Sequence, residues 1–132
     1  MLEIKNLTKT YKGGKTAVDN LSLTVRPGDI YGFIGHNGAG KTTTIKAVVG
    51  IHDFDSGEIL VDGKDVRSRS LDCKRVIAYI PDNPDIYEYL TGIQYLNFIA
   101  DIYQVPGKTR EERIRREAEE FGIYPVLGDL VS

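Results

Sequence analysis

Residues 35–42 read GHNGAGKT and fit the pattern G-x-x-x-x-G-K-[ST] at every fixed position. Glycines are needed in this pattern because the backbone must fold around an anion with its N–H groups pointing inward, where a Cβ would collide. The lysine of the pattern reaches the β- and γ-phosphates of a nucleotide, and the hydroxyl residue after it is a ligand for Mg²⁺. The segment therefore predicts a nucleoside-phosphate site in which Lys41 binds phosphate and Thr42 binds Mg²⁺.

The loop and the first turn after it are expected to surround the phosphates together. A helix that begins at this point would add the positive end of its dipole to the anion site. A dinucleotide site of the G-x-G-x-x-G type is excluded, because Asn37 stands where that pattern needs a second glycine. A GTPase is disfavoured, because the one D-x-x-G match, Asp29 to Gly32, precedes the loop and no N/T-K-x-D segment occurs. The predicted phosphate-binding residues are Gly35, His36, Asn37, Gly38, Ala39, Gly40, Lys41, Thr42 and Thr43.

Strands and a helix must hold this loop in place. Alternation of apolar and polar residues predicts half-exposed strands, whereas a continuous apolar run predicts a strand buried on both faces. A glycine such as Gly50 is a typical end of a helix, and Asp62-Gly63 is a strong hairpin turn signal. The expected elements are strands at 2–7, 18–25 and 57–61, buried strands at 30–34 and 76–80, and a helix over 42–51.

From residue 91 onward the pattern becomes helical. Thr91 to Gln94 and Thr109 to Glu112 both have the form of a capping box, which opens a helix. Pro106-Gly107 is expected to break the first helix, and Gly122 to end the second. The predicted order is two strands, then a strand, a loop and a helix, and then further helices. This order predicts an α/β fold.

Composition restricts the classes of partner, metal site and location that are possible for this chain. The chain has 132 residues with 17 Lys+Arg and 19 Asp+Glu, a balance that argues against a nucleic-acid partner. The single cysteine, Cys73, excludes an intramolecular disulfide and a cysteine-rich metal site, and nothing near it indicates an activated thiol. No apolar stretch approaches the roughly 20 residues that a membrane-spanning helix needs. A membrane location would therefore require a membrane partner.

Residues 2–66, from LEIKNLTKTY to DGKDV, resemble the start of an ABC-transporter ATPase domain almost end to end. The resemblance implies ATP and Mg²⁺ as cofactors and places Tyr11 where an aromatic ring stacks on adenine. The alternative is that Tyr11 merely covers the edge of the sheet. The implied fold is an α/β P-loop NTPase core with an antiparallel β-subdomain, followed by the start of an ABC-type helical subdomain. The implied boundaries are 1–88 for the nucleotide-binding core and 89–132 for the helical part.

In this family a loop that usually ends in Pro-Gln joins the core to the helical subdomain. Residues 78–82 match it, but Asp82 stands in place of glutamine. A carboxylate can accept a hydrogen bond from water and bind Mg²⁺, but it cannot donate as an amide does. The resemblance makes Asp82 a sensor of the γ-phosphate and Mg²⁺, and the alternative is a solvated turn aspartate.

After this loop, members of the family contact the cytoplasmic helices of their membrane subunits. An aromatic-rich stretch follows here, although Leu96, Phe98 and Ile99 fit a role as helix core equally well. The implied partners are a transmembrane permease subunit and a second ATPase subunit, with the protein peripheral at the cytoplasmic face of the membrane. The residues expected at the partner surface are Tyr87, Tyr89, Leu90, Tyr95 and Phe98.

Three family features are absent from the sequence. It has no Leu-Ser-Gly-Gly-Gln-like signature, no apolar run followed by Asp-Glu, and no histidine after residue 52. The resemblance thus spans about half of such a domain and includes no confident catalytic base. We expect a truncated, N-terminal part of an ATP-hydrolysing subunit that binds ATP without hydrolysing it efficiently.

Three alternatives stay open at this stage. One is a small complete P-loop phosphotransferase, with a lid drawn from Arg110, Arg113, Arg115 and Arg116. Another is a non-catalytic nucleotide-binding module. The third is a soluble ABC ATPase of DNA repair or translation, which the lack of basic patches disfavours.

Overall fold

A computed structural model describes residues 1–36, 38, 40–82 and 87–131. The chain divides into two compact units, Met1–Tyr79 and Ile80–Ser132.

The first unit is built on a four-stranded antiparallel sheet. Its strands are β1 (Leu2–Thr10), β2 (Thr16–Val25), β3 (Ser56–Val61) and β4 (Lys64–Asp65), in the order β2-β1-β3-β4. Leu2 of β1 lies opposite Val25 of β2 on one side and Val61 of β3 on the other. The three strands expected at 2–7, 18–25 and 57–61 are confirmed, and each is longer than the sequence pattern indicated.

The hairpin between β3 and β4 closes at the predicted turn. Asp62 and Gly63 have φ angles of 48° and 77°, so both are left-handed, as a two-residue turn between twisted strands requires. The Asp62 carboxylate also accepts a hydrogen bond from the amino terminus of Met1 at 2.6 Å. The turn is thereby fastened to the start of β1.

Two helices complete the first unit, α1 (Lys41–Val48) and α2 (Ser70–Lys74). α1 confirms the helix expected after the glycine-rich loop, and Gly50 follows its end with a φ of 80°. Apolar side chains of the sheet and of both helices form one core. Its members are Ile4, Leu7, Val18, Ala47, Phe54, Ile59, Val61, Val66 and Cys73.

The buried strands expected at 30–34 and 76–80 are wrong. Both segments lack regular secondary structure, and the Ile30 and Ile34 side chains are 102% and 94% exposed. Val76 and Ile80 are also largely exposed. A strand buried on both faces needs a hydrogen-bonded neighbour and a covering layer on each face. Within the described residues, no strand pairs with either segment, so neither forms a ladder.

The second unit is helical, with α3 (Gly92–Ile102), α4 (Gly107–Glu120) and a short 3-10 turn at Tyr124–Val126. The capping box of α3 is confirmed, because the Thr91 hydroxyl accepts from Gln94 N–H at 3.3 Å and the Gln94 side chain accepts from Thr91 N–H at 2.9 Å. The predicted ends at Pro106 and Gly122 are confirmed as well.

The second capping box, predicted from Thr109 to Glu112, is wrong. α4 already begins at Gly107, directly after Pro106, and the Arg110 N–H donates to the Pro106 carbonyl at 2.8 Å. Pro106 is the N-cap residue of α4, so Thr109 lies inside the first turn and caps nothing. Within the described part of the chain, no helix is both long and apolar enough to cross a membrane.

Candidate functional site

The glycine-rich loop lies between the irregular segment 30–34 and helix α1, and Lys41 reaches back across it. The Lys41 ammonium donates to the carbonyl oxygen of His36 at 2.8 Å and also to that of Gly35. Lys41 therefore links the first residues of the loop to the start of the helix. This arrangement places a cation where the sequence pattern predicts phosphate oxygens.

Two glycines of the loop have a backbone conformation that other residues rarely adopt. Gly38 and Gly40 have φ angles of 86° and 90°. A Cβ on Gly40 would lie 2.2 Å from the carbonyl oxygen of Ala17, whereas one on Gly38 would meet nothing within 4 Å. Because Ala17 belongs to β2, Gly40 lets the first turn of α1 approach the sheet backbone directly. This is a close approach that only glycine allows.

The N-terminus of α1 offers backbone donors to an anion. The first N–H groups of a helix have no partner inside it, and they carry the positive end of its dipole. Here the Thr44 N–H is the first that is satisfied within the helix, through the Gly40 carbonyl at 2.9 Å. The first turn of α1 contains no acidic residue. The site is thus electrostatically suited to phosphate.

Three consecutive threonines of α1 have three different surroundings. Thr42 is exposed, and its hydroxyl has no hydrogen bond to any described residue. The Thr43 hydroxyl lies 3.0 Å from the Tyr11 hydroxyl, whereas Thr44 is buried and its hydroxyl donates to the Gly40 carbonyl at 2.8 Å. Sequence reasoning grouped Thr42 and Thr43 as ligands and missed the contact with Tyr11, for which no pattern exists.

The donor chemistry near the loop fits a Mg²⁺ ion brought in with a nucleotide. Mg²⁺ retains several waters and is commonly held by one or two protein oxygens together with substrate phosphates. The exposed Thr42 hydroxyl is an oxygen of this kind beside the loop. In the described ranges, no group of three or more His, Cys, Asp or Glu side chains could hold a metal without a nucleotide.

Tyr11 occupies the turn between β1 and β2, on the side of the sheet that meets α1. Its N–H donates to Lys15 O at 2.9 Å and its carbonyl accepts from Gly14 N–H at 3.1 Å, which fixes its backbone at both ends. Tyr11 is 39% exposed, and the Lys9 ammonium lies over its ring, 5.6 Å from the centroid. Tyr11 is thus partly exposed, and its hydroxyl lies within hydrogen-bond distance of the first turn of α1.

The other predicted site residues have no described side-chain contact with the loop, or lie outside the described residues. Asn37 and Ala39 lie outside the described residues. His36 contributes its carbonyl oxygen to the Lys41 contact, and its side chain is exposed. Asp82 is exposed and belongs to the second unit.

The aromatic stretch of the second unit forms an exposed cluster. The Tyr87 ring lies 5.7 Å from those of both Tyr89 and Phe98, measured between centroids. Tyr87, Tyr89 and Phe98 are 45%, 73% and 41% exposed, whereas Leu90 and Tyr95 are half-buried. Phe98 therefore presents much of its ring to solvent rather than acting as helix core.

Cys73 and Arg110 have contacts that indicate structural roles. Cys73 is buried, and this burial, followed by the carboxylates of Asp65 and Asp72, raises the pKa of its thiol, as expected for an unreactive core side chain. Arg110, one candidate for an arginine lid, donates to the Asp101 carboxylate at 2.6 Å and to the Val105 carbonyl at 3.0 Å. Arg110 therefore connects α3 to α4.

Comparison with known proteins places these features in a family context. The sequence model of the family described as ABC transporter matches residues 18–131. The uncharacterized ABC transporter ATP-binding protein YhcH of Bacillus subtilis is 39% identical over 132 residues, which are 100% of this chain and 42% of that protein. The lipopolysaccharide export system ATP-binding protein LptB of Escherichia coli K12 is 40% identical over 125 residues, 92% of this chain and 52% of LptB.

Solved structures give the same result. One described as the ATP binding subunit of an ABC transporter superposes with a TM-score of 0.90 at 31% identity, over 98% of this chain and 54% of that one. The ADP- and phosphate-bound dimer of the ATP-binding cassette MJ0796 has the same fold, with a TM-score of 0.83 at 19% identity over 100% of this chain and 63% of that one. The chain thus spans about half the length of the relatives it matches.

Proposed function

We propose, from the premise that this chain belongs to the ABC transporter family, that it is the ATP-binding part of a subunit that couples ATP binding and hydrolysis to membrane transport. Family membership confirms the resemblance seen in residues 2–66 and the predicted α/β fold class with a P-loop core and an antiparallel sheet. The observation that carries the proposal is the contact of Lys41 with the Gly35 and His36 carbonyl oxygens at the N-terminus of α1.

In this proposal each part of the site binds one part of Mg-ATP. The loop and the first turn of α1 supply backbone donors, and Lys41 supplies the positive charge, for the phosphates. Thr42 offers its hydroxyl to Mg²⁺, which when bound neutralises part of the phosphate charge. The ring of the partly exposed Tyr11 stacks on adenine. The exposure of Thr42 and the partial exposure of Tyr11 support these assignments.

The roles proposed for the two parts of the chain use the boundaries predicted from the sequence. Residues 1–88 act as the nucleotide-binding core and residues 89–132 as the start of a helical subdomain. Asp82, which is exposed, senses the γ-phosphate and Mg²⁺ from the connecting loop. The cluster of Tyr87, Tyr89 and Phe98 contacts a transmembrane permease subunit, since exposed aromatic residues are enriched at protein interfaces.

We assign the complete protein to the cytoplasmic face of the membrane, bound to its permease and paired with a second ATPase subunit. For residues 1–132 we expect ATP binding without efficient hydrolysis. Phosphoryl transfer to water requires a group that positions the attacking water, and no candidate base accompanies the phosphate loop in this sequence.

Mg-ATP binding and steady-state phosphate release by the 132-residue chain test the proposal. Loss of the Lys41 ammonium removes a charge-assisted contact with phosphate, so Lys41→Ala is expected to weaken Mg-ATP binding by roughly a hundredfold. The matched control is Lys46→Ala, which removes the same side chain from the last turn of the same helix. It is expected to bind Mg-ATP as the parent chain does.

Two results would contradict the proposal. Equal binding by the parent chain and Lys41→Ala would mean that the loop is not a phosphate site. Multiple turnovers that disappear in Lys41→Ala would instead mean that these residues form a small, catalytically complete P-loop enzyme.

A further inference from the structure

The strongest unassigned feature is a contact between the two halves of the candidate nucleotide site. The hydroxyl of Tyr11 and the hydroxyl of Thr43 lie 3.0 Å apart, although 32 positions separate the two residues in the chain. Tyr11 belongs to the turn that presents an aromatic face, and Thr43 to the first turn of the helix that follows the phosphate loop. The contact therefore joins the base side of the site to the phosphate side.

The backbones on both sides of this contact are held independently of it. Tyr11 is fixed by its hydrogen bonds with Lys15 and Gly14. The start of α1 lies close against the backbone of β2, since a Cβ on Gly40 would lie 2.2 Å from Ala17 O. The Tyr11 side chain can still rotate about χ1, which moves the whole ring, and the hydroxyl contact restricts that rotation by holding the far end of the ring beside α1.

We infer that Thr43 is a positioning residue, which holds the Tyr11 ring at a fixed distance from the phosphate loop and so favours nucleotides over base-free polyphosphates. This inference rests on the proposed nucleotide-binding function. A ring that is already oriented loses less rotational freedom when a base stacks on it, and this preorganisation increases affinity. Its benefit applies only to ligands that carry a base.

The neighbouring threonines cannot substitute for Thr43. Thr42 is exposed and has no comparable contact with a described residue. The Thr44 hydroxyl is already engaged by the Gly40 carbonyl in the core. Among these three adjacent side chains, only Thr43 lies within hydrogen-bond distance of the Tyr11 hydroxyl.

A double-mutant cycle on the full chain tests the inference, with Mg-ATP and Mg-tripolyphosphate as probes. Tyr11→Phe keeps the ring, and Thr43→Val keeps the shape of the threonine side chain, while each removes one hydroxyl. The measured quantity is the ratio of the affinity for Mg-ATP to that for Mg-tripolyphosphate. One neutral hydrogen bond corresponds to a fall of roughly twofold to tenfold in this ratio.

Each single variant is expected to lower the ratio, and the double variant to lower it no further than Thr43→Val alone. Thr43→Ser, which retains a hydroxyl, should restore most of it. The matched control is Thr16→Val, which removes a hydroxyl from the Thr10–Thr16 pair, 3.2 Å apart on the same hairpin. Circular dichroism verifies that every variant retains its secondary structure.

The possible failures differ from one another. If the parent chain binds both probes but Tyr11→Phe leaves the ratio unchanged, the positioning role is overturned and the proposed function stands. If Tyr11→Phe weakens both probes equally, the contact only supports the fold, and the positioning role is again overturned. If the parent chain binds neither probe, the proposed function fails and the inference fails with it.

Discussion

Ile59 and Ile30 are the same residue type in two segments that both have the sequence pattern of a strand, yet Ile59 is 0% exposed and Ile30 is 102% exposed. Ile59 lies in β3, opposite Ile4 of β1, and its carbonyl accepts from Val66 N–H at 3.1 Å. Ile30 has no strand partner among the described residues. The difference in exposure between these two isoleucines therefore follows from the strands that lie beside them.

The two regions obtain neighbours in different ways. Antiparallel strands can be joined by a short hairpin. Such a hairpin joins β1 to β2, and another joins β3 to β4. A strand buried inside a parallel sheet needs partners that come through long crossover connections. A continuous apolar run shows that a segment would be stable when buried, but it does not supply the layer that buries it.

The largest expected effect comes from shortening the same side chain in each region. Ile59→Ala removes buried methyl groups from the core and is expected to lower the free energy of unfolding by about 3 kcal/mol. Ile30→Ala removes exposed atoms and is expected to change it by less than about 0.5 kcal/mol. Urea unfolding followed by circular dichroism measures both. Comparable losses would show that residues 30–34 are buried in solution.

The same contrast explains how much of the molecule the sequence could predict. The hairpin at Asp62-Gly63, the capping box at Thr91 and the helix that follows the glycine-rich loop all depend on residues close in sequence, and all were predicted. The wrong strands at 30–34 and 76–80 depend on neighbours far away in the chain.

The candidate site divides along the same line. Its phosphate loop is a contiguous motif, so the types and spacing of its residues identify it. The Tyr11–Thr43 contact and the approach of Gly40 to Ala17 join segments that are distant in sequence, and no local pattern encodes them. The structure is needed to reveal which of three adjacent threonines contacts the ring.

A second prediction compares thiols in the same two regions. Cys73 is 2% exposed, and its burial raises the pKa of the thiol, so both access and thiolate fraction are low. If it reacts only after local opening that costs about 3 kcal/mol, labelling by a disulfide reagent is slowed by roughly a hundredfold. The rate in native protein is compared with the rate in urea.

The matched variant for this comparison carries Ile30→Cys together with Cys73→Ala, so its one thiol lies in the exposed segment. It is expected to react in native protein nearly as fast as in urea. Fast native labelling of Cys73 would mean that the packed region opens readily, and the contrast between the regions would then not hold.

The smallest effect extends the comparison to the helical unit, where Thr91 and Thr109 have the same capping signature but different surroundings. Thr91→Ala removes the hydroxyl that accepts from Gln94 N–H, so it is expected to destabilise the start of α3 by about 1 kcal/mol. Amide hydrogen exchange in the first turn of α3 measures this change as faster exchange.

Thr109→Ala is the matched control: α4 begins at Gly107, and alanine is the better helix former, so protection in α4 should be unchanged or slightly higher. A loss of protection in α4 as large as that in α3 would mean that Thr109 caps its helix in solution, as its sequence alone predicts.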